Sequence, residues 1–580
     1  MIMDKNLLFA IVLSSLVVLV FLSPQYQKRF GKSLPDNETT EQVQPGSPIL
    51  PRNGTGITTP QTSPDVKPNK PETEIPDSLK AQHIVYTQVS PPASERIITL
   101  ENSDIRILVS SKGGAVTGAF MKRYNGRTKE ERAQLITDGE TWYDGTISAD
   151  STTISLGDII FHVTEDTGTH AVLTAELTGG KQIIREFTLD SDGFILSAST
   201  TLDDTWNDPV LYVSWHGPIN DTEEPVKQIR IWPLTMLMRD DTTLYNKAAF
   251  LGQGERKTVN GSGKEKTTRI YSNEGSQKIE IRKMNSGRDY FNGDLDWYAI
   301  RNKYFMSAAI PKERMRWSAA AAYSMAGDRK WYDFTVSKRL SDGNTDLDIY
   351  IGPISYDILK STGPNLTQIM ELSWKFIRPI SIAFLWLMKK LHAFIPNWGL
   401  VLVAFSVIIK ILLYPLSHKS IVSMRRMSSL QPQISALREK HKNNPQKLNQ
   451  ATMELYRKEG VNPFSGCLPV LLQMPVFFAL YPVVGRAFEL RQAMFIPRWI
   501  EDLSRPDPYY ILPVAMGLSM FFQQKTTMTD PNQKAMLYIM PVMMVILFAN
   551  FSAGLTLYWF LFNVMSYLQQ EIHTPRTAAT

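Results

Sequence analysis

Residues 397–416 read Asn-Trp-Gly-Leu-Val-Leu-Val-Ala-Phe-Ser-Val-Ile-Ile-Lys-Ile-Leu-Leu-Tyr-Pro-Leu, a run apolar and long enough to cross a bilayer as a helix. At about 1.5 Å per residue, about twenty residues cover the roughly 30 Å of hydrocarbon. Lys410 breaks the pattern. A cation inside a span costs about 3 kcal/mol even on lenient insertion scales, so its partner has to be sought. The apolar segments downstream hold no Asp, Glu or His in their interiors, and no carboxylate there can neutralise it. Water, backbone carbonyls or a visiting substrate remain, and these imply a wet concavity within the bilayer. The competing reading is a lysine whose stem snorkels the roughly 9 Å to the Leu416 end of the span.

The rest of the chain divides into a polar and an apolar half. Its 580 residues are enough for more than one folded unit, and apolar residues crowd the first twenty and the last two hundred positions. Only one cysteine, Cys467, is present, so no intramolecular disulfide can form. The 8 histidines are scattered without metal-ligand spacing, and neither metal nor cofactor is expected. Residues 6–22 form an apolar run without a small-x-small site behind it, followed by Lys28, Arg29 and Lys32. They read as a retained transmembrane anchor within residues 1–30 rather than a cleaved signal. Residues 31–80, rich in Pro, Thr, Asn and Gln, cannot bury enough surface to offset chain entropy and read as a flexible linker.

Residues 81–360 carry short alternating runs such as Ile105–Val109, Ala171–Leu177, Gln182–Leu189, Phe194–Ala198 and Leu347–Ile351. Period-two alternation between Gly, Asp and Asn turns predicts an antiparallel β-sandwich. The Gly113-Gly114 pair precedes no phosphate-loop lysine, and no nucleophile or zinc motif follows. The sandwich therefore reads as a folding and docking module, with an extended groove for peptide or sugar as the alternative.

Residues 361–396 hold an uninterrupted apolar stretch too short to span, which predicts an amphipathic helix in the interface with Lys389 and Lys390 toward head groups. Residues 417–460 follow the span and are strongly basic, including Lys419, Arg425, Arg426, Arg438, Lys440 and Lys442. Such an excess marks the cytoplasmic side. Apolar residues at every third or fourth position on both sides of Asn443-Asn444-Pro445 predict a two-helix hairpin. Its basic face is either a solvated surface that sets topology or a docking surface for ribosomal RNA or another acidic partner. Residues 461–573 contain four further spans, 465–484, 508–523, 535–549 and 554–567, and residues 574–580 form a short tail. Prolines 469, 475, 482, 513 and 541 punctuate them, and Met536, Met540, Met543 and Met544 crowd one helix, suiting either an ordinary core or a surface for many apolar partners. The architecture expected is an α-helical polytopic membrane protein with six transmembrane helices, joined to an all-β sandwich domain.

The segments Leu455-Tyr-Arg-Lys-Glu-Gly-Val-Asn-Pro463, Gly466-Cys-Leu-Pro469 and Gln473-Met-Pro475 resemble those of the YidC membrane protein insertases, the bacterial branch of the Oxa/Alb superfamily. So do Tyr414-Pro-Leu416, Leu430-Gln-Pro432, Asp507–Pro513 and Ser552–Tyr558, and, in the β region, Trp297, Tyr304, Phe305, Pro311, Gly352 and Pro353. The resemblance implies an inner-membrane insertase and chaperone, not an enzyme, with its β domain in the periplasm and both termini in the cytoplasm. Five core spans would enclose a hydrophilic groove open to cytoplasm and lipid. Nascent membrane proteins would be its substrates, the Sec translocon and the ribosome its partners, and the lipid bilayer its outlet. Lys410 stands where the family usually has arginine, keeping the charge without the bidentate fork. By the same resemblance Ser406 supplies a hydroxyl beside it, and Gln473, Tyr558 and Trp559 line the groove, with Trp559 where a tyrosine is usual. Cys467, Met474 and Phe477, together with Met536, Met540 and Met543, fall on the family's substrate-contacting helices. The tail from Glu571 to Thr580 is nearly uncharged, so ribosome docking would fall to the hairpin. The rival reading is a channel or transporter with Lys410 as an anion site, weakened by the expected lack of a second intramembrane polar cluster and of an internal repeat of spans. A membrane protease would need a Ser and His pair or paired carboxylates in the spans, which are missing.

Overall fold

The computed structural model describes residues 86–572, apart from 129, 140, 150–151, 218, 224–246, 260–264, 271–276, 282–287, 313–315, 327–328, 341–342, 364, 443, 462–467 and 528–533. The expected anchor, the linker and Cys467 lie outside the described residues.

Alternation in residues 97–353 becomes strands joined only by antiparallel pairing. The strands Ile105–Ser110, His170–Leu177, Lys181–Leu189, Ile195–Leu202 and Asn344–Pro353 coincide with the runs legible in the sequence. Two antiparallel sheets share one long pair, Lys247–Val259 with Arg288–Arg301. The first half of Arg288–Arg301 pairs with Arg316–Ala326 and the second half with Phe305–Pro311, so this strand passes from one sheet to the other. The register shift at Leu251/Gly252 is the bulge that permits the bend. Between the sheets, Arg185 is buried and donates to the carbonyl of Gly113 at 2.5 Å, its guanidinium lying 5.0 Å from the Tyr143 ring. Gly114, at φ +57°, leaves the room: a Cβ there would meet Arg185 Cδ at 2.8 Å. The glycine pair thus serves packing, not phosphate.

Among the described residues nine α-helices follow: α1 Tyr356–Thr362, α2 Arg378–His392, α3 Trp398–Ser429, α4 Gln431–Lys440, α5 Pro445–Lys458, α6 Leu468–Arg486, α7 Ile511–Thr527, α8 Lys534–Phe548 and α9 Ala553–Ile572. Asn397 caps α3, its side chain accepting from Leu400 N–H at 3.0 Å. The helix that contains the expected span continues through Pro415 and past Leu416 to Ser429. A proline removes one ladder donor, and the Ser417 hydroxyl donates within this turn to the carbonyls of Leu413 and Tyr414, each at 3.0 Å. Among the described residues α3 is the one helix both long and apolar enough by itself to cross a membrane, and Leu471–Arg486 and Leu537–Phe548 are shorter apolar helices. The hairpin is correspondingly shorter than expected, because the chain breaks at Leu430 and only α4 and α5 form its arms. Leu430, Ile434 and Val461 make its small core.

The interfacial segment also differs from expectation. Helix begins only at Arg378, where Pro379 fits the first turn, and residues 370–377 are not helical. Lys389 pairs with Asp357, and with Glu489 at 3.4 Å. Trp374, Phe376 and Trp386 are left exposed.

The loop between α6 and α7 is bolted to the β domain. Arg491, its side chain 4% exposed, donates to Glu223 at 2.5 Å and to the carbonyls of Asn125, Gly126 and Thr222 at 2.7, 3.0 and 3.1 Å. Its guanidinium lies against the rings of Tyr304 and Phe305. Tyr304 in turn donates to Ser504 at 2.8 Å, and Phe488 meets Tyr124 edge-on at 4.9 Å. Burial pushes the Glu223 carboxyl up and Arg491 opposes that shift, so removing the cation would leave a buried acid without compensation. Arg491→Ala should therefore cost about 3–5 kcal/mol at this junction. The readout is faster hydrogen exchange at residues 125–126 and 488–492, with the strands Lys181–Leu189 and Ile195–Leu202 unchanged.

His216 lies between two carboxylates, Asp333 at 2.8 Å and Asp144 at 3.1 Å, tying three neighbouring strands together. Burial lowers the imidazolium, but the hydrogen bonds to Asp144 and Asp333 outweigh it and raise the pKa to about 9. A folded-state pKa above the unfolded value of about 6.5 gives stability that is complete below that value and lost as pH rises through about 9. The thermal midpoint of the β domain should fall between pH 6.5 and 9.5, and His216→Gln should flatten that slope.

Candidate functional site

The helical core offers one face of α9 to α3, α6 and α7. Along it Tyr558, Asn563, Ser566, Gln569 and Gln570 are all buried. From Tyr558 to Gln570 this polar stripe extends about 18 Å. Each member meets a polar group on a neighbouring helix. Gln473 on α6 donates to the Tyr558 hydroxyl at 2.7 Å, and Asn563 donates to Ser519 on α7 at 3.4 Å. Gln569 donates to Ser417 on α3 at 3.4 Å, and Gln570 accepts from Thr526 on α7 at 2.5 Å. At the stripe's centre Lys410, 8% exposed, donates to Ser566 at 2.7 Å with its ammonium 4.6 Å from the Phe562 ring centroid.

The partner is thus a serine rather than the Asp, Glu or His that an ion pair would need. A hydroxyl and an aromatic face stabilise the ammonium as a dipole and a quadrupole, without neutralising it and without the desolvation cost of a second buried charge. The signal was present as Asn563, Ser566 and Gln570, spaced three and four residues apart in an otherwise apolar helix. Lys410 is thus held within the bundle, against α9.

Other expected site residues fall in distinct places. The Ser406 hydroxyl is directed to the Leu402 carbonyl at 2.6 Å. Trp559 is not part of the polar contact: it packs on Phe477 at 5.4 Å and Phe548 at 5.3 Å. With Phe551 and Tyr481 these rings form an aromatic layer at the end of the bundle nearest the β domain. Met474 and Met540 are half-buried, whereas Met543 is 42% exposed beside Ile539 and Val542 on α8. Met536 lies on α8, and Cys467 lies outside the described residues. The five basic residues chosen for docking do not form one surface. Arg425 donates to the Gln570 carbonyl at 2.7 Å and so belongs to the bundle. Arg426 lines a cleft with Lys419, Arg438 is half-buried on α4, and Lys440 and Lys442 are exposed at the hairpin tip.

A helical core with a polar stripe inside it is bolted to a large antiparallel β domain, and among the described residues one of its helices, α3, is long and apolar enough to cross a membrane. Two family models match the chain: the YidC periplasmic domain over residues 97–387 and the 60Kd inner membrane protein over residues 390–579. A membrane protein insertase YidC of Francisella tularensis subsp. novicida is 32% identical over 82% of this chain and 83% of its own length. One from Coxiella burnetii is 43% identical over 47% of this chain, and there the chain spans 50% of the relative's length. The crystal structure of an active YidC insertase aligns with 83% of this chain and 94% of its own, at 16% identity and a TM-score of 0.35. The chain belongs to the YidC family of inner membrane proteins.

The Gln473–Tyr558 contact has an asymmetric energetic signature. Gln473 Oε1 has no hydrogen-bond partner among the described residues, so Tyr558→Phe would leave a buried amide with neither of its groups satisfied. A loss of about 1–3 kcal/mol is expected for the single variant, read as a lower thermal midpoint. Gln473→Leu combined with Tyr558→Phe should recover much of it.

Proposed function

We propose that this protein is an insertase and folding chaperone for nascent membrane proteins, acting alone or with the Sec translocon and receiving chains from the ribosome at its cytoplasmic hairpin. In this reading α3 and α6 to α9 are five core spans, a further span lies near the N-terminus, and both termini are cytoplasmic. The observation that carries the reading is the buried cation Lys410 on a polar stripe that continues to the hairpin end of the bundle and stops at the aromatic layer on the β-domain side.

A substrate's polar or acidic flank pays most of its transfer penalty in the hydrocarbon centre. Hydroxyl and amide groups of α9, wetted from the hairpin side, shorten that crossing, and the Lys410 ammonium attracts an acidic flank. Such a flank exchanges one charge-assisted bond for another when it displaces Ser566 from Lys410. Apolar substrate residues meet a different surface. Ile411 and Leu412 on α3, 67% and 68% exposed, and Ile539, Val542 and Met543 on α8 form apolar walls on the lipid side. A segment leaving the stripe passes these walls into lipid by burial of its own apolar area, without nucleotide or covalent chemistry.

The test is insertion of a small single-span or double-span substrate into vesicles containing only this protein, scored by protease protection. Lys410→Arg should retain most of the insertion and Lys410→Glu should lose it roughly tenfold or more, the change expected from about 1.4 kcal/mol of lost attraction. Equal insertion by both variants would remove the charge from the mechanism. Flux of small anions without insertion would favour a transporter.

A further inference from the structure

The α3 helix carries a continuous exposed stripe. Ile408, Ile411, Leu412 and Leu416 form its apolar part, and at the same three- and four-residue spacing it goes on as Lys419, Val422 and Arg426. No Asp or Glu occurs between Asn397 and Arg438, and neither Lys419 nor Arg426 has an ion-pair partner among the described residues. Both cations line one cleft of about 320 Å³ with His418, Val422, Ser423 and Gly460. Gly460, at the end of α5 with φ +62°, leaves that wall open: a Cβ there would meet nothing within 4 Å.

Depth identifies what such a cleft would hold. On α3 the run of exposed apolar side chains ends at Leu416 and exposed cations begin at Lys419, and a helix that crosses the bilayer leaves the hydrocarbon layer at such a change. Lys419 lies about 3 Å and Arg426 about 13 Å beyond Ser417 along the axis, and a cleft between them falls at the head-group layer. We infer that Lys419, Ser423 and Arg426, with the backbone at Gly460, form a binding site for the phosphodiester head group of an anionic phospholipid whose acyl chains lie along Ile411, Leu412 and Leu416. Two cations on a lipid-facing stripe suit a phosphate that arrives with its own chains, and Val422 between them favours a lipid over a nucleic acid. RNA would meet Lys440 and Lys442 at the hairpin tip instead. The occupied cleft would join α3 to the end of α5 and fix the angle at which the hairpin leaves the membrane. This rests on α3 crossing the bilayer and not on insertase activity.

Native mass spectrometry of the full-length protein, titrated with phosphatidylglycerol and separately with phosphatidylcholine, reads the site without any insertion assay. The intact protein should hold one phosphatidylglycerol preferentially. Lys419→Gln with Arg426→Gln should weaken it about tenfold or more, at roughly 1 kcal/mol for each cation near a membrane surface. Lys440→Gln with Lys442→Gln should leave it unchanged, and an unaltered thermal midpoint in both variants confirms that each folds. Equal retention of phosphatidylcholine, wild-type retention by the cleft variant, or an equal loss in the tip variant would overturn the inference. Displacement of the lipid by millimolar inorganic phosphate would also overturn it, showing a site for free phosphate.

Discussion

The arrangement of the helical core follows from one constraint: a polar side chain inside a membrane helix has to find its partner within the protein. Lys410 is the most demanding case, and its bond to Ser566 places α3 against α9 at a fixed height and rotation. The amide and hydroxyl contacts above and below it repeat the same requirement, tying α9 to α6, α7 and α3 in turn. With α3 and α6 to α9 as the proposed spans, apolar packing alone would leave the bundle free to slide, because lipid tails compete equally well for leucine and valine. Hydrogen bonds between helices provide the register. They also provide the water-compatible surface that the proposed function needs, so stability and activity draw on the same residues.

A second constraint acts at the other end of the bundle. Arg491 is buried under Tyr304 and Phe305 and satisfied by Glu223 and three carbonyls, so the loop joining α6 and α7 is held to the β domain. The aromatic layer of Phe477, Tyr481, Phe548, Phe551 and Trp559 lies at this end. One end of the core is thus closed by packed rings and braced by the β domain, while the hairpin end carries exposed cations. This polarity is what a one-sided entry path for substrate would require.

Local patterns were legible in the sequence and non-local pairings were not. Strands such as Lys181–Leu189 and Asn344–Pro353 follow from alternation, and α6 to α9 begin and end within a few residues of the apolar runs that predict them. The continuation of α3 past Pro415 was hidden because proline usually ends a helix, an expectation that weakens where Ser417 can bond nearby carbonyls. Glu223 and Arg491 are separated by 268 residues, and no local pattern links them. The partner of Lys410 is not an ionisable group, so the lack of Asp, Glu and His in the other apolar segments does not point to it, although Ser566 occupies a helical position in register with Asn563 and Gln570. Trp559 received a polar role by position, whereas the hydroxyl that meets Gln473 belongs to Tyr558.

The central claim is that the α9 stripe is wetted from the hairpin side. Single cysteines at Asn563, Ser566 and Gln569, in a Cys467→Ser background in sealed membranes, report this through reaction with a small maleimide, which requires a thiolate in water. Labelling at all three positions, with none at Leu561 or Met565 elsewhere on the same helix, is the predicted result. Uniformly unreactive cysteines along the stripe would show a dry, structural contact between helices and contradict the account.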